Sequence, residues 1–357
     1  MNLDPTETQS LLQETVRGYL EKELPLDRVR ALERENGWDE GLWRAVCQQG
    51  WIALPFAEAH GGGDGSLLDA GLLVEEFARR AAIVPILEAL VSGRVLQEHA
   101  GGELVEALLE GSALPVPALL ETGDRFGEVR ARVEAGRLTG EKAFVDYGQF
   151  ASHHLVSALD GEDSALFLVE TGGGGLACRP LRTIGRTPQC SVRYDGALAR
   201  RIAGPEALRD LVRLGRALAA VQCTASMEQA LDQTVAYAKV REQFGVPIGS
   251  FQAVRHHAAN MAIRITRARL LALEALSALD AGTASDEQIA LAKASASLAV
   301  PEVTMLAHQI HGGNGVIEEN DLYFFTLRGK ERSLAWGTAD ECLAVAAATI
   351  ERQTEWL

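Results

Sequence analysis

From Pro205 onward, alanine, leucine and valine recur at helical spacing through four stretches, Leu208 to Val240, Phe251 to Leu279, Ser285 to Ile310 and about Thr338 to Gln353. Only short glycine-bearing links separate them. Apolar stripes of that length have to bury against one another, and links that short make consecutive helices antiparallel. The expectation is a four-helix bundle over residues 205–357. Ser250 and Ser285 (or Asp286) are suited to cap the second and third helices. Pro301 inside the third must kink it or leave a backbone hydrogen bond unmade.

The chain ahead of the bundle changes character once. Residues 1–112 are helical in pattern, opening with Thr6-x-x-Gln9 as a capping box before Leu12, Val16 and Leu20, with Pro25 ending or kinking that helix. Further stripes run through Leu42 to Val46, Leu67 to Ala78 and Leu104 to Leu109, separated by Gly61-Gly-Gly-Asp-Gly65 and Gly101-Gly102. Residues 113–204 turn to short β-rich runs at Val129 to Val133, Leu138 to Val145, Leu155 to Ala158, Ala165 to Val169 and Ser191 to Tyr194, with turns at Ala135-Gly136, Asp160-Gly161 and Gly172 to Gly175. The fold class is therefore α+β: a helical domain, a small antiparallel β domain and a helical bundle. Gly172 to Gly175 opens no helix, so it reads as a hairpin turn rather than a phosphate loop.

Charge and cysteine usage remove several function classes. A net charge of −15 disfavours binding to a phosphate backbone, so no nucleic-acid partner is expected. Cys47, Cys178, Cys190, Cys223 and Cys342 are odd in number and lack any Cys-x-x-Cys pair, which suggests neither a disulfide framework nor a zinc site. His153-His154 point to opposite faces of a strand and His256-His257 are about 100° apart on a helix, so no metal is assigned. No basic leader precedes an apolar core, and no uninterrupted apolar run spans a bilayer, so a reducing cytoplasm without a membrane partner is the expected setting.

Two motifs carry chemistry. In Arg241-Glu-Gln-Phe-Gly245, an arginine offers a permanent cation with a planar donor fork suited to a pyrophosphate, Phe244 offers an aromatic edge, and Gly245 lets the backbone turn. A lone arginine would as readily pair with Glu242 or Asp232. In Gln309-Ile-His-Gly-Gly-Asn-Gly315 an amide and bare backbone stand at a helix C-terminus, which suits an adenosine moiety or simply a helix end.

Tyr237 to Gln252 as a whole, Gln309 to Gly315, and Gly50-Trp51-Ile-Ala-Leu-Pro55 followed by Gly61-Gly62 closely resemble the acyl-CoA dehydrogenase family, and the resemblance extends over essentially the whole chain. It implies FAD as cofactor, an acyl-CoA substrate, and cofactor contacts from Arg241, Gln243, Phe244, Gln252, Gln309, Gly312 and Gly313. The family's reaction needs a carboxylate base. The resemblance places it either just before the Gly-Thr after the last glycine motif or just before an arginine in the first bundle helix. Here those positions hold Trp336, ahead of Gly337-Thr338, and Gly215, ahead of Arg216. Neither accepts a proton, which leaves Glu331, Asp340 and Glu341 as nearby acids. The β-domain segments that hold the flavin ring in the family are replaced by Leu120-Glu121-Thr122 and Phe144-Val145-Asp146.

In the family's tetramers, the resemblance implies, the Arg241 and Gln309 motifs reach the ADP half of a neighbour's FAD, whereas the β-domain segments and the base serve the subunit's own ring. The chain has kept what it gives to a partner and lost what it would need itself. That pattern is similar to the smaller, non-catalytic subunit of heteromeric α2β2 acyl-CoA dehydrogenases acting on steroid side-chain and other bulky thioesters, with half occupancy of flavin. Expected partners are a larger catalytic subunit, or further copies of the chain as a homo-oligomer, and an electron-transferring flavoprotein as acceptor. Two alternatives stand beside it: a self-sufficient flavoenzyme with a displaced base, of dehydrogenase, flavin monooxygenase or nitroalkane oxidase type, and a flavin-free scaffold.

Overall fold

A computed structural model describes residues 5–354 apart from 124 and 127. In chain order the helices are α1 (Glu7–Glu23), α2 (Leu26–Glu35), α3 (Glu40–Gln48), α4 (Leu67–Arg79), α5 (Ile86–His99) and α6 (Gly102–Leu109). The strands β1 (Pro115–Ala118), β2 (Arg132–Glu134), β3 (Arg137–Asp146), β4 (His153–Asp160), β5 (Asp163–Glu170), β6 (Leu176–Leu181), β7 (Gln189–Leu198) and β8 (Arg200–Ala203) follow. Then come α7 (Pro205–Val240), the short strands β9 (Glu242–Gln243) and β10 (Val246–Pro247), α8 (Gln252–Asp280), α9 (Asp286–His311), α10 (Leu322–Leu334) and α11 (Ala339–Thr354). The helix, sheet, helix order is the one the patterning predicts.

By internal contacts the chain forms two compact units. One contains the chain up to Arg30, Gly71–Ala82 and everything from Arg216; the other contains Ala31–Ala70 and Ile83–Gly215.

In the first unit α9 is the central element, packed on α8, α10 and α11. Small residues allow the close approach: Ala290 and Ala294 of α9 meet Cys342 of α11. The stretch Asp286–Val316 is long and apolar enough to cross a bilayer, but most of that apolar surface is buried within the protein. Pro301 is accommodated inside α9, which continues past it. The capping box at Thr6 forms in full, with Thr6 Oγ1 accepting from Gln9 N and the Gln9 amide oxygen accepting from Thr6 N. Ser285 caps α9 by accepting from Gln288 N at 3.0 Å. Ser250 does not cap α8; its hydroxyl donates to Pro247 O at 2.7 Å and Phe251 precedes the helix.

Two helices depart from the expected pattern. α10 lies between the third and fourth expected helices and buries Arg328, Glu331 and Arg332 along with Leu322, Phe324 and Phe325. With charges on its inner face it shows no apolar stripe. α5, in the second unit, is buried from Ile86 through Gly93 without a break, so it has no polar face to set a period.

The sheet of the second unit runs β6-β7-β3-β2-β4-β5-β8, with β1 also on β4. It is mixed rather than purely antiparallel, because β1 and β2 both pair parallel to β4. The strand expected over Val129 to Val133 is confined to β2, since the Glu121 carboxylate takes the Arg130 and Ala131 N–H groups that a ladder would use. Ala135 (φ 49°) and Gly136 (φ 74°) make the tight turn from β2 to β3. Gly172 to Gly175 is not a hairpin turn: it links β5 to β6, which are not neighbours in the sheet. The Gly61–Gly65 loop folds back on the preceding turn, with Gly63 N and Gly65 N donating to Ala53 O and Leu54 O.

Candidate functional site

Arg241 follows α7 directly and begins a two-stranded hairpin, β9 against β10, whose tip is Phe244-Gly245. Both tip residues have positive φ, 56° and 80°, the combination a type I′ turn requires. That geometry suits glycine and penalises phenylalanine. The turn projects the Phe244 ring into solvent, 94% exposed, touching only Phe251 edge-on at 6.1 Å. Arg241, Gln243 and Gln252 are exposed beside it. Asp232, one expected partner for Arg241, is instead engaged by Arg79 at 2.7 Å. No carboxylate lies within ion-pair distance of Arg241 among the described residues.

The second motif closes α9. Gln309, Gly312 and Gly313 are exposed, and a Cβ added to either glycine would meet no atom within 4 Å, so bare backbone faces outward. His311 is turned inward; its Nδ1–H donates to Ala307 O at 2.9 Å and its ring stacks on Tyr237, centroids 4.5 Å apart and planes 15° apart. Tyr237 stands one helical turn before Arg241, so this stack ties the two motifs together. His311 and Asn314 also line an open depression of about 450 Å³ with Gln233, Asn320 and Asp321. The exposed cation, the amide and the unencumbered glycine backbone fit the diphosphate and adenosine of a dinucleotide arriving from outside the chain.

Trp336 is buried and held at φ 61°, followed by Gly337 at φ 102°. Two cations hold this corner through its carbonyls. Arg216 Nε donates to Trp336 O at 3.0 Å, and Lys293 Nζ donates to Gly337 O at 3.2 Å, Ser333 O at 3.0 Å and Ser297 Oγ at 2.7 Å. Lys293 is wholly buried; desolvation pushes its ammonium below the ordinary lysine range. Arg216, beside Gly215, thus reaches Trp336, the residue at the other position where the resemblance places a base. Of the nearby acids, Glu341 is occupied as the cap of α11, accepting from Thr338 N at 2.7 Å and Thr338 Oγ1 at 2.9 Å. Glu331 is buried in α10, and Asp340 stands in the first turn of α11.

The altered β-domain segments have structural tasks in the second unit. Glu121 is almost fully buried and accepts from Lys142 Nζ at 2.6 Å and from Arg130 N and Ala131 N at 3.0 Å. Burial opposes its ionisation, but Lys142 and the backbone donors outweigh that and hold the carboxyl below its ordinary range. Lys142 donates further to Ser157 Oγ at 3.1 Å. Asp146 accepts from Gln189 Nε2 at 2.8 Å. Between Lys142 and Val145 the β3–β7 register shifts, placing Phe144 at φ 51° with half of its surface exposed. Phe144, Phe244 and Trp336 are all bulky residues held at positive φ, and each falls at a position the sequence singled out. Backbone strain of this kind persists where surrounding structure fixes it and concentrates at functional positions.

The order of helical layer, mixed sheet and helical bundle is one that known proteins share. The family models for the acyl-CoA dehydrogenase N-terminal and C-terminal domains match residues 6–111 and 203–351. Acyl-CoA dehydrogenase IpdE2 of Mycolicibacterium smegmatis is 32% identical over 333 residues, covering 92% of this chain and 95% of that protein. Among solved structures, a variant of the Tcur3481-Tcur3483 steroid ACAD superposes with a TM-score of 0.93 at 31% identity, covering 98% of this chain and 99% of that one. The ChsE4-ChsE5 complex from Mycobacterium tuberculosis gives 0.92 at 28%, covering 98% and 99%. The chain belongs to the acyl-CoA dehydrogenase family. FAD-dependent dehydrogenation is the chemistry of that family.

Proposed function

We propose that this chain is the non-catalytic subunit of a heteromeric, FAD-dependent acyl-CoA dehydrogenase and completes a flavin site in trans with a larger catalytic subunit. The observation that carries the reading is the orientation of the retained motifs. Arg241, Phe244, Gln309, Gly312 and Gly313 all face away from their own chain, and a phenylalanine 94% exposed at a strained hairpin tip is a poor feature for a protein that acts alone. Trp336 and Gly215 supply no base, and Glu341, one of the three acids nearby in sequence, is spent on a helix cap.

Bound FAD would supply the hydride acceptor for α,β-desaturation of an acyl-CoA thioester. This chain's part is to hold the cofactor's ADP end: Arg241 neutralises diphosphate charge, Phe244 covers a ring edge, and the Gln309 amide and glycine backbone accept the adenosine. The tryptophan corner fixed by Arg216 and Lys293 fills space where the catalytic subunit would have its carboxylate. Assembly uses the bundle. Ile263 and Leu270 on α8, and Leu291, Leu298 and Met305 on α9, are exposed and recur one heptad apart, which is an apolar face suited to helix pairing. Two of the similar structures, Tcur3481-Tcur3483 and ChsE4-ChsE5, are of paired proteins, and the first is a steroid ACAD, which supports a bulky acyl substrate. The reduced flavin would pass electrons to an electron-transferring flavoprotein, and the setting would be cytoplasmic.

Flavin stoichiometry tests the proposal. The chain purified alone should retain little FAD and show no turnover. Co-expressed with a longer relative bearing the glutamate, it should give an α2β2 complex with one FAD per pair of chains. Arg241→Ala in this chain should lower flavin retention by that complex. A homotetramer of this chain with one FAD per subunit that oxidises an acyl-CoA would refute it.

A further inference from the structure

Two thiols outside the sites above converge on a single glycine of the sheet unit. Cys178 lies on β6 and Cys190 on its neighbour β7, with Cys178 registered against Val192 and Pro180 against Cys190. The two side chains therefore share one face of the sheet as diagonal neighbours. The Cys178 sulfur lies 3.9 Å from Gly148 O, and a Cβ built on Gly148 would lie 2.7 Å from the Cys190 sulfur. The absence of a side chain at Gly148 is what leaves room for the Cys190 sulfur beside Cys178. Their surroundings differ. Cys190 is fully buried, whereas Cys178 is partly exposed. The other three cysteines are buried, each with its sulfur near a different backbone carbonyl: Cys47 at Leu108, Cys223 at Gly329 and Cys342 at Gly337.

We propose that Cys178 and Cys190 are a peroxide-sensitive redox pair, with Cys178 the attacking thiol and Cys190 the resolving one. The asymmetry assigns the roles. The neighbouring Cys190 thiol holds Cys178 below its ordinary range, Cys178 and burial push Cys190 up, and only Cys178 among the five is partly exposed to an oxidant. In the first step the Cys178 thiolate attacks one oxygen of hydrogen peroxide, the O–O bond breaks and hydroxide leaves, giving a sulfenic acid. In the second the Cys190 sulfur attacks the Cys178 sulfur, the S–O bond breaks, and the Cys190 proton and the departing hydroxide form water. The balance is two thiols and one peroxide to one disulfide and two waters. A dithiol reductant reverses it by exchange.

Diagonal partners stand about 7–8 Å apart, slightly beyond the usual Cα separation across a disulfide. Closing the bond must therefore draw β6 inward. β6 is the terminal strand of the sheet and has no strand on its outer side to resist this. The Tyr147–Gln149 turn lies against both sulfurs and would register the change.

The experiment takes the full chain, reduced and freed of reductant, and exposes it to hydrogen peroxide. Free thiols are counted under denaturing conditions and the products mapped by peptide mass spectrometry. The count should fall from five to three, with a Cys178–Cys190 linked peptide and recovery of all five on treatment with dithiothreitol. Cys190→Ser should stop the reaction at a sulfenic acid on Cys178, trapped as a dimedone adduct, and Cys178→Ser should leave Cys190 unmodified. The inference is overturned if all five thiols survive, if the lost thiols map elsewhere, or if Cys178 proceeds to sulfinic acid while Cys190 in the wild-type chain stays free. The wild-type count and map decide the matter even if a variant fails to fold.

Discussion

Glu228 on α7 offers a quantitative test of the electrostatics in the bundle unit. Its carboxylate meets Arg79 at 2.8 Å and Arg269 at 3.4 Å, beside an open depression lined by Gln13, Arg17, Glu75 and Thr266. Two ion pairs would ordinarily hold a carboxyl down. Burial and the nearby Glu75 outweigh them and push Glu228 up to about 7 from 4.5. The folded chain therefore binds this proton more tightly than the unfolded chain does. The stabilisation is fully present below about pH 4.5 and is lost as pH rises through about 7. At ~1.4 kcal/mol per pH unit the separation is worth roughly 3 kcal/mol, an upper limit because Glu75 and Glu228 share the site. Glu228→Gln is neutral at every pH and should abolish most of this dependence. Measured by circular dichroism, the apparent unfolding temperature of the wild type should fall by several degrees between about pH 5 and about pH 8 relative to the variant. The variant should match the wild type at the acid end and exceed it at the basic end. Parallel profiles, or a glutamine variant less stable at about pH 8 than at about pH 5 relative to wild type, would refute the reasoning.

Three further outcomes follow from geometry. Lys142→Met leaves the buried Glu121 carboxylate without its cation and should cost about 3–5 kcal/mol in urea unfolding, whereas Lys142→Met with Glu121→Gln should recover a large part of it. Gly62→Ala places a Cβ 2.1 Å from Phe56 O, a backbone atom that cannot yield without moving the turn, and should lower the unfolding temperature by several degrees or prevent soluble expression. Phe244→Ala should leave the chain's own unfolding temperature within about a degree, since the ring buries almost nothing in its chain, while weakening flavin retention by the assembled complex.

The bundle was legible because its helices expose one face and bury another, so α7, α8, α9 and α11 announce themselves by period. α5 is buried around its whole first two turns and α10 carries buried charge, and in neither does a stripe distinguish helix from other structure. The short strands β1, β6 and β8 were equally silent. β1 is Pro-Val-Pro-Ala, in which two prolines argue against a ladder, and β6 and β8 are short strands with no fully buried residue, β6 also holding Pro180. Residue types and spacing marked Arg241, Phe244 and the glycine motif as candidates. The side chains that organise them were hidden, because contacts such as Tyr237 with His311 and Arg216 with Trp336 join residues far apart in sequence. One signal was available and unused: Lys293 stands alone in the Ala-Leu-Ala-Lys-Ala-Ser-Ala run of α9, and a lysine in so apolar a setting is there to bind something, here the carbonyls of the tryptophan corner.

The hairpin tip has a bearing on engineering. For an isolated chain, Phe244→Asn would improve the turn, because asparagine tolerates positive φ and a following glycine completes the preferred pair, while an exposed aromatic surface would vanish. A screen for stability or solubility on this protein alone would select that substitution early. If the ring covers a flavin held by a partner, as proposed above, a screen on the assembled complex would reject it. On that proposal the strained phenylalanine is a local fault that makes sense only in company, and the sign of its fitness effect reports whether the protein is being judged singly or in complex.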